Sequence, residues 1–231
     1  RVVAPARPAR DEGSGRLLDV RHLGVVPYAE GLRAQEELVA ARRAGDVPDT
    51  LLLLEHPHVI TLGSSAESAH VLVDEAERDR LGIEVFEVGR GGGVTYHGPG
   101  QLVAYPILDL KPDRKDLHAY LRDLEEVLLR VAAEFGVRAV RRPGLTGIWT
   151  VAGKLAAVGV RVSSPWITSH GVALNVSADL AFFDRIVPCG IVGEGVTSLE
   201  RELGRPLAVR DAGAAFEARF ADVFGYARLV G

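Results

Sequence analysis

Apolar residues recur at helical spacing in three stretches of the chain. Residues 28–44 show this spacing as far as Gly45, and residues 113–135 show it most clearly, as far as Gly136. Residues 210–225 place three phenylalanines on one side of a helix. The three stretches predict the long helices, and the positions that carry the spacing are Leu32, Gln35, Val39, Leu117, Tyr120, Leu121, Leu124, Leu128, Val131, Phe135, Phe216, Phe220 and Phe224.

Shorter apolar runs predict strands between these helices. The run "TLLLLEH" at 50–56 is continuous, which is typical of a strand covered on both faces. Residues 147–164 resemble a hairpin whose turn lies near Ala152-Gly153. The remaining predicted elements are strands at 16–24, 83–88, 101–108 and 170–176 and short helices at about 74–81 and 180–186.

This order of elements predicts one α/β domain with a mixed, largely antiparallel sheet and flanking helices. Residues 1–15 lack the uninterrupted apolar segment of a secretory signal and are interpreted as a flexible N-terminal tail. Residues 16–231 are expected to form the folded domain. A distinct C-terminal subdomain beyond about Val176 is the alternative.

Composition narrows the class of protein. With 47% hydrophobic and 25% charged residues and no apolar run near the roughly 20 residues of a spanning helix, we expect a cytoplasmic protein without membrane association. The net charge of −4 argues against nonspecific nucleic-acid binding, which needs a basic face. The basic clusters Arg42-Arg43 and 138–142 could dock an acidic protein or simply be solvated surface.

The stretch "RGGGVTYHGPGQLVAYPI" at 90–107 is unusually rich in glycine. It does not match the P-loop or the dinucleotide-binding glycine pattern, and it precedes a strand instead of opening a helix. Two interpretations remain open: a glycine-rich hairpin, or bare backbone that closely approaches a ligand. The polar residues Thr95, Tyr96 and His97 favour the second interpretation.

The single cysteine, Cys189, cannot form an internal disulfide. It could be a small buried hydrophobe or a nucleophile. Reactivity would require a base or a positive charge nearby, and His97, His170 and Lys154 are the candidates.

Lys154 stands in the alternating stretch "VAGKLAAVGVRV", in line with Ala156 and Val158. An inward-facing lysine would lose hydration and could accept a proton near neutral pH, whereas an exposed hairpin end is the plainer alternative. His56 and His58 flank a proline without a carboxylate or cysteine at suitable spacing, so we predict no metal site.

Five segments together resemble the lipoyl(octanoyl) transferase family. They are "LLEHPHVITLG", "RGGGVTYHGPGQLVAYPI", "GKLAAVGVRV", "HGVALNV" and "IVPCGIVGEGVTSL", and they extend from about Leu51 to Leu199. The resemblance implies a fold related to the biotin and lipoate protein ligases and a two-step acyl transfer. Because thioester exchange conserves the bond type, it implies no ATP, metal or other cofactor.

The resemblance also implies partners and site residues. Octanoyl-acyl carrier protein would be the donor, and the acceptors would be lipoyl domains of 2-oxoacid dehydrogenases and the glycine cleavage H protein. Cys189 would carry the acyl thioester, and Lys154 would favour its thiolate and move protons. At Gly93 the family often has a larger or polar residue, so a looser pocket wall is expected. The implied substrate-binding residues are Arg90, Gly91, Gly92, Gly93, Val94, Thr95, Tyr96, His97, Ala157, Val158, Gly159, Gly171, Val172 and Ala173.

Three other functions are compatible with these residues. The first is an ATP-dependent ligase of the lipoate or biotin type, and the second is an amidotransferase that moves octanoyl between lipoyl domains. The third is a non-catalytic acyl-binding module in which the thiol is inert.

Overall fold

The computed structural model describes residues 15–187 and 195–230. Its strands are β1 (Leu17–Val25), β2 (Asp49–Glu55), β3 (Val59–Leu62), β4 (Glu84–Glu87), β5 (Val94–His97), β6 (Gln101–Ile107), β7 (Ile148–Thr150), β8 (Gly153–Ser163), β9 (Ile167–Asn175) and β10 (Arg228–Val230). Its α-helices are α1 (Tyr28–Ala44), α2 (Glu75–Leu81), α3 (Leu117–Glu134), α4 (Leu199–Leu203) and α5 (Val209–Phe224). Short 3-10 helices span Ser68–His70 and Leu180–Arg185.

The strands form two sheets. The large sheet has seven strands in the order β10-β1-β2-β6-β9-β8-β7, and the small sheet has three in the order β4-β3-β5. In the large sheet β1 is parallel to both of its neighbours, and the four other pairs are antiparallel. The predicted mixed, largely antiparallel α/β architecture is therefore confirmed.

Strand β2 shows how the large sheet is covered on both faces. Leu51 and Leu53 belong to the core that α3 and α5 complete, whereas Leu52 and Leu54 pack in a second core with Leu38 of α1. Successive strand residues point to opposite faces, so a continuous apolar run is what two buried faces require. The prediction for this strand is confirmed.

Helix α5 shares its core with the rest of the domain. Phe216, Phe220 and Phe224 are all buried, as the predicted one-sided pattern requires, and they pack in the same cluster as Leu124 of α3 and Leu102 of β6. Helix α5 therefore belongs to the same core as α3 and the large sheet.

The glycine-rich stretch is not a hairpin. Strand β5 pairs with β3 in the small sheet, while β6 pairs with β2 and β9 in the large sheet. Strand β3, with the sequence "VITL", is absent from the predicted elements because four residues without polar alternation give no period.

The start of α3 also differs from the prediction. The helix begins at Leu117, four residues after the predicted start, because the Asp116 carboxylate accepts a hydrogen bond from Ala119 N–H and caps it there. The predicted hairpin is present as β7 and β8, with Val151 and Ala152 at the turn. No helix within 15–187 or 195–230 combines the length and the apolar character needed to cross a membrane.

Candidate active site

A cavity of about 830 Å³, including its solvent-filled mouth, lies between the two sheets. Strand β5 of the small sheet supplies one wall, and β6, β8 and β9 of the large sheet supply the other. Most of the predicted site residues line it: Lys154, Arg90, Gly91, Gly92, Val94, Thr95, His97, Ala157, Val158, Gly159, Gly171, Val172 and Ala173.

Two predicted residues, Tyr96 and Gly93, do not line this cavity. Tyr96 alternates with Thr95 and His97 along β5, so its ring points away, stacks on Phe182 at a centroid distance of 5.2 Å and hydrogen-bonds to a histidine there. The carbonyl of Gly93 accepts a hydrogen bond from Gly63 N–H at 3.1 Å. Both residues thus make contacts that support the wall on the side away from the cavity.

The loop at residues 90–93 packs closely against the loop at residues 63–65, and this contact needs bare backbone at Gly63. The carbonyls of the 90–93 loop accept hydrogen bonds from the 63–65 loop, and Gly91 N–H donates to Val160 of β8 at 2.9 Å. A Cβ on Gly63 would lie 2.3 Å from the Gly92 carbonyl oxygen, a distance that real Cβ atoms do not tolerate. The absence of a side chain at Gly63 therefore lets the 90–93 loop lie between β8 and the small sheet.

Arg90 is buried at the cavity and bonded to one neighbour on β3. Its Nη2 donates to the Thr61 hydroxyl at 2.7 Å and to the Thr61 carbonyl at 2.9 Å. Its Nη1 donates to the Gly91 carbonyl at 3.0 Å. These bonds fix the guanidinium group in one orientation.

A chain of amide hydrogen bonds begins at His97. The Gln101 side-chain NH₂ donates to the Tyr96 carbonyl and to Asn175 Oδ1, so Gln101 Oε1 is left to accept from His97 Nδ1–H at 2.7 Å. Asn175 Nδ2 in turn donates to the Thr197 carbonyl at 3.0 Å. The chain fixes the His97 tautomer and leaves Nε2 as an acceptor.

Three buried histidines near the cavity are neutral at physiological pH. Desolvation lowers the pKa of His97 to about 3 and the pKa values of His56 and His170 to about 4, and the Arg90 charge adds to the effect at His170. An imidazole with so low a pKa is a weak proton acceptor. His97 and His170 are therefore poor bases for activating a thiol.

Lys154 is half-buried on β8 and lines the cavity. Its Nζ lies 5.1 Å from the centroid of the Trp149 ring, within the range of a cation–π contact. Its backbone pairs with the segment after residue 194: Lys154 N–H donates to Gly195, and Thr197 N–H donates to the Lys154 carbonyl. The lysine is thus not an exposed hairpin end.

Cys189 lies outside the described residues. The described residues on either side of its segment reach the cavity, through Phe183 before it and Val196 after it. Val187 N–H donates to the His70 carbonyl at 2.8 Å, which anchors the chain just before the segment.

Several lining or supporting residues are missing from the predicted site. Gln101 and Asn175 interrupt apolar strands with a polar side chain, and that signal could have identified them. Thr61 gives no such signal, because threonine is common in strands. The further lining residues are Tyr28, Gln101, Tyr105, Thr146, Ala156, His170, Asn175, Phe183 and Val196.

The two histidines of "EHPH" are engaged in hydrogen bonds. His56 Nδ1–H donates to the Val26 carbonyl at 2.7 Å, and its Nε2 accepts from the Tyr105 hydroxyl at 2.8 Å. His58 Nδ1 pairs with the Tyr96 hydroxyl. Within the described ranges, no group of three or more potential metal-binding side chains is present.

Comparison with known proteins identifies the relatives of this chain. The model of the family described as lipoyl protein ligase A/B catalytic domain matches residues 27–221. An octanoyltransferase from Rubrobacter xylanophilus is 54% identical over 210 residues, covering 90% of this chain and 94% of that protein.

Two solved structures share the fold. Lipoate-protein ligase A bound with ATP superposes with a TM-score of 0.70 at 17% identity, covering 94% of this chain and 89% of the other. The biotin protein ligase from Aquifex aeolicus in complex with biotin and ATP superposes with a TM-score of 0.52 at 14% identity, covering 91% and 70%. The predicted relation to the lipoate and biotin ligase fold is confirmed.

The protein is an acyltransferase enzyme, so the interpretation as a non-catalytic binding module is wrong. The chain belongs to the lipoyl protein ligase A/B catalytic domain family.

Proposed function

We propose that this enzyme transfers an octanoyl group from octanoyl-acyl carrier protein to the acceptor lysine of lipoyl domains, through a thioester on Cys189. The proposed acceptors are the lipoyl domains of 2-oxoacid dehydrogenases and the glycine cleavage H protein, in the cytoplasm. The main support is the cavity itself, a largely apolar slot with Lys154 at one end and with both flanks of the Cys189 segment in its lining. The octanoyltransferase relative supports the choice of acyl group.

In the first step, the Cys189 thiolate attacks the carbonyl carbon of the octanoyl thioester. The new C–S bond forms as the bond to the carrier thiol breaks, and the carrier thiolate leaves and takes up a proton. A nearby ammonium favours the thiolate form of a cysteine, which is the role proposed for Lys154. Bond types are conserved, so the step needs no nucleotide.

In the second step, the lysine amine of the lipoyl domain attacks the enzyme thioester. An amide forms, the Cys189 thiolate leaves, and the amine loses a proton. Lys154, left neutral when its ammonium protonates the departing carrier thiolate in the first step, is proposed to accept that proton. Because His97 and His170 have pKa values far below neutrality, they are less suited to this role.

The cavity also suits the acyl chain. About seven apolar carbons, each contributing about 0.8 kcal/mol when fully buried, would stabilise the bound chain by at most about 6 kcal/mol. Ala157, Gly159 and Ala173 form a stretch of small residues on the cavity face, whereas the side chains of Val158 and Val172 pack in the core on the opposite face. Such a wall holds a linear chain without polar recognition.

The test of the thioester is mass spectrometry after incubation with octanoyl-acyl carrier protein. We expect one hydroxylamine-labile octanoyl adduct on Cys189, and none on Cys189→Ala. Product formation on a lipoyl domain by Cys189→Ala, with ATP and free octanoate required, would instead support a ligase. Faster transfer from an octanoylated lipoyl domain than from acyl carrier protein would support an amidotransferase.

The two roles of Lys154 can be separated by substitution. Lys154→Arg keeps a positive charge but cannot release a proton, so adduct formation should persist while transfer to the lipoyl domain slows by about 10²–10⁴-fold. Lys154→Ala should slow both steps. Single-turnover rates equal to those of the unmodified enzyme would remove Lys154 from the mechanism.

A further inference from the structure

The cavity has a polar end opposite Lys154. On β8, Gly159 stands five residues beyond Lys154, roughly 16 Å at the usual rise of a strand. A Cβ on Gly159 would lie 3.4 Å from Arg90 Cδ, so the stem of the arginine covers this position. The chain direction of β8 therefore places Lys154 at one end of the slot and Arg90 at the other.

Arg90 is surrounded by other polar groups at this end. Gly91 N–H bonds to Val160, which pairs with His170 on β9, and the His170 ring lies 6.2 Å from the Tyr105 ring. His170 and Tyr105 both line the cavity. The terminal methyl group of a longer acyl chain would have to displace such groups. The displacement would break buried hydrogen bonds, so burying that methyl group here would add little binding free energy. The Arg90 end of the cavity is therefore polar, whereas the wall between Lys154 and Arg90 is apolar.

One residue outside the cavity lining holds Arg90 in place. Thr61 is fully buried on β3, and its hydroxyl accepts from Arg90 Nη2 at 2.7 Å and from Nε at 3.3 Å. Its carbonyl accepts a further bond from Nη2 at 2.9 Å. Hydrogen bonds from a charged donor are stronger than neutral ones, so the hydroxyl makes a large contribution to the orientation of the guanidinium group.

We propose that Thr61 is a specificity-determining residue: it holds Arg90 across the far end of the cavity and so limits the length of the acyl chain. The inference rests on the proposed function for the identity of the ligand. Thr61 acts as a positioning residue, because it reaches the ligand only through Arg90.

The consequence is a change in chain-length preference when the hydroxyl is removed. In Thr61→Val the Nε and Nη2 donors of Arg90 lose their shared hydroxyl acceptor, while the bonds to the Thr61 and Gly91 carbonyls remain. The guanidinium group should therefore tilt about these two carbonyls and lengthen the slot. Each further methylene that becomes buried raises affinity about fourfold, from about 0.8 kcal/mol. Two extra methylenes should therefore favour decanoyl over octanoyl by about fifteenfold more than in the unmodified enzyme.

The first measurement is calorimetric binding of free hexanoate, octanoate, decanoate and dodecanoate, which requires no turnover. Affinity should rise with length up to eight carbons in the unmodified enzyme and up to ten or more in Thr61→Val. Thr61→Ser keeps the acceptor and should restore the original limit. A uniform loss of affinity at every length, an unchanged profile, or no binding of the series would overturn the proposal.

The second measurement compares kcat/KM for hexanoyl, octanoyl and decanoyl carrier protein. No turnover of any donor, together with the expected binding profile, would reject the proposed function and leave the length limit standing. Turnover with an unshifted chain-length profile in Thr61→Val would reject the length limit and leave the proposed function standing. If Thr61→Val does not fold, Arg90→Lys, which shortens the end wall, must show the same shift for the proposal to survive.

Discussion

The two faces of the large sheet are stabilised in different ways. The face beneath α3 and α5 is filled by aliphatic and aromatic side chains, among them the stacked rings of Phe220 and Phe224 at 4.4 Å. The other face carries the smaller apolar core beneath α1 and, at the cavity, borders buried polar groups. These include Arg90, His97 and Asn175, each with named hydrogen-bond partners. The first face is stabilised by close packing. The second face keeps a cavity open.

This difference has a physical reason. Apolar packing is non-directional, so side chains beneath the helices adjust to fill the volume available. A cavity persists only if its walls cannot collapse, and directional hydrogen bonds between backbone and buried polar groups prevent that collapse. Substitutions on the two faces should therefore separate stability from ligand binding.

The largest loss of stability is expected from the helix-covered face. Phe220→Ala removes a fully buried ring and should lower the free energy of unfolding by about 3–5 kcal/mol. Octanoate affinity of the folded fraction should be unchanged, because the ring lies in the core away from the cavity. Urea unfolding and calorimetry measure the two quantities, and a parallel loss of affinity would contradict the separation.

A smaller loss of stability with a larger loss of binding is expected at the cavity. In Gly63→Ala the new methyl group would collide with the Gly92 carbonyl, so the loop should shift at a cost of about 1–3 kcal/mol. Octanoate affinity should fall at least tenfold because the wall moves.

Gly213→Ala on α5 is the matched control for Gly63→Ala. Its Cβ would meet only Leu102 Cδ1 at 3.8 Å, so the helix should gain about 0.5–1 kcal/mol and binding should stay constant. Equal octanoate affinities in the two variants would show that the loop position does not matter.

The effect that is smallest at neutral pH, and grows only on acidification, concerns acid stability at the cavity face. Burial lowers the pKa of His170 from 6.5 to about 4, so the unfolded chain binds the proton first as the pH falls. Stability should decrease between about pH 6.5 and pH 4 and level off below. The slope from this one group is at most about 1.4 kcal/mol per pH unit.

His170→Asn should reduce that slope. Asparagine tolerates the left-handed backbone that His170 adopts at φ 54°, so the substitution removes the titrating group without a new backbone demand. Urea unfolding at several pH values between 4 and 7 measures the effect. A slope identical to that of the unmodified enzyme would assign the acid sensitivity elsewhere.

The contrast between the two faces of the large sheet also explains which parts of the fold and site could be predicted from the sequence. The helix-covered face follows from periodicity, since the apolar stripe that includes Leu124 and Leu128 identifies α3, and three phenylalanines identify α5. The double burial of β2 follows from its unbroken apolar run. In such regions the local sequence pattern is enough to predict which residues are buried.

The cavity face required more than periodicity. The resemblance carried by the five segments indicated most of the lining, but β5 and β6 were open to interpretation as one hairpin although they belong to different sheets. The orientation of Tyr96 depends on the pairing of β5 with β3, and the role of Thr61 depends on Arg90 reaching across to it. Such relations join residues distant in sequence, so no local pattern reveals them.

The short connection at residues 98–100 joins the two sheets and has a consequence for the range of ligands. Gly98 accepts a hydrogen bond from Gln101 N–H, and Gly100 accepts one from Val176 N–H, so the crossing is tied to both β6 and the end of β9. This crossing, together with the 90–93 loop that contacts both walls, holds the walls at a fixed separation. The slot should admit unbranched hydrocarbon and reject branched or ring-bearing chains, and an enzyme adapted to thicker ligands would need a longer crossing rather than smaller side chains.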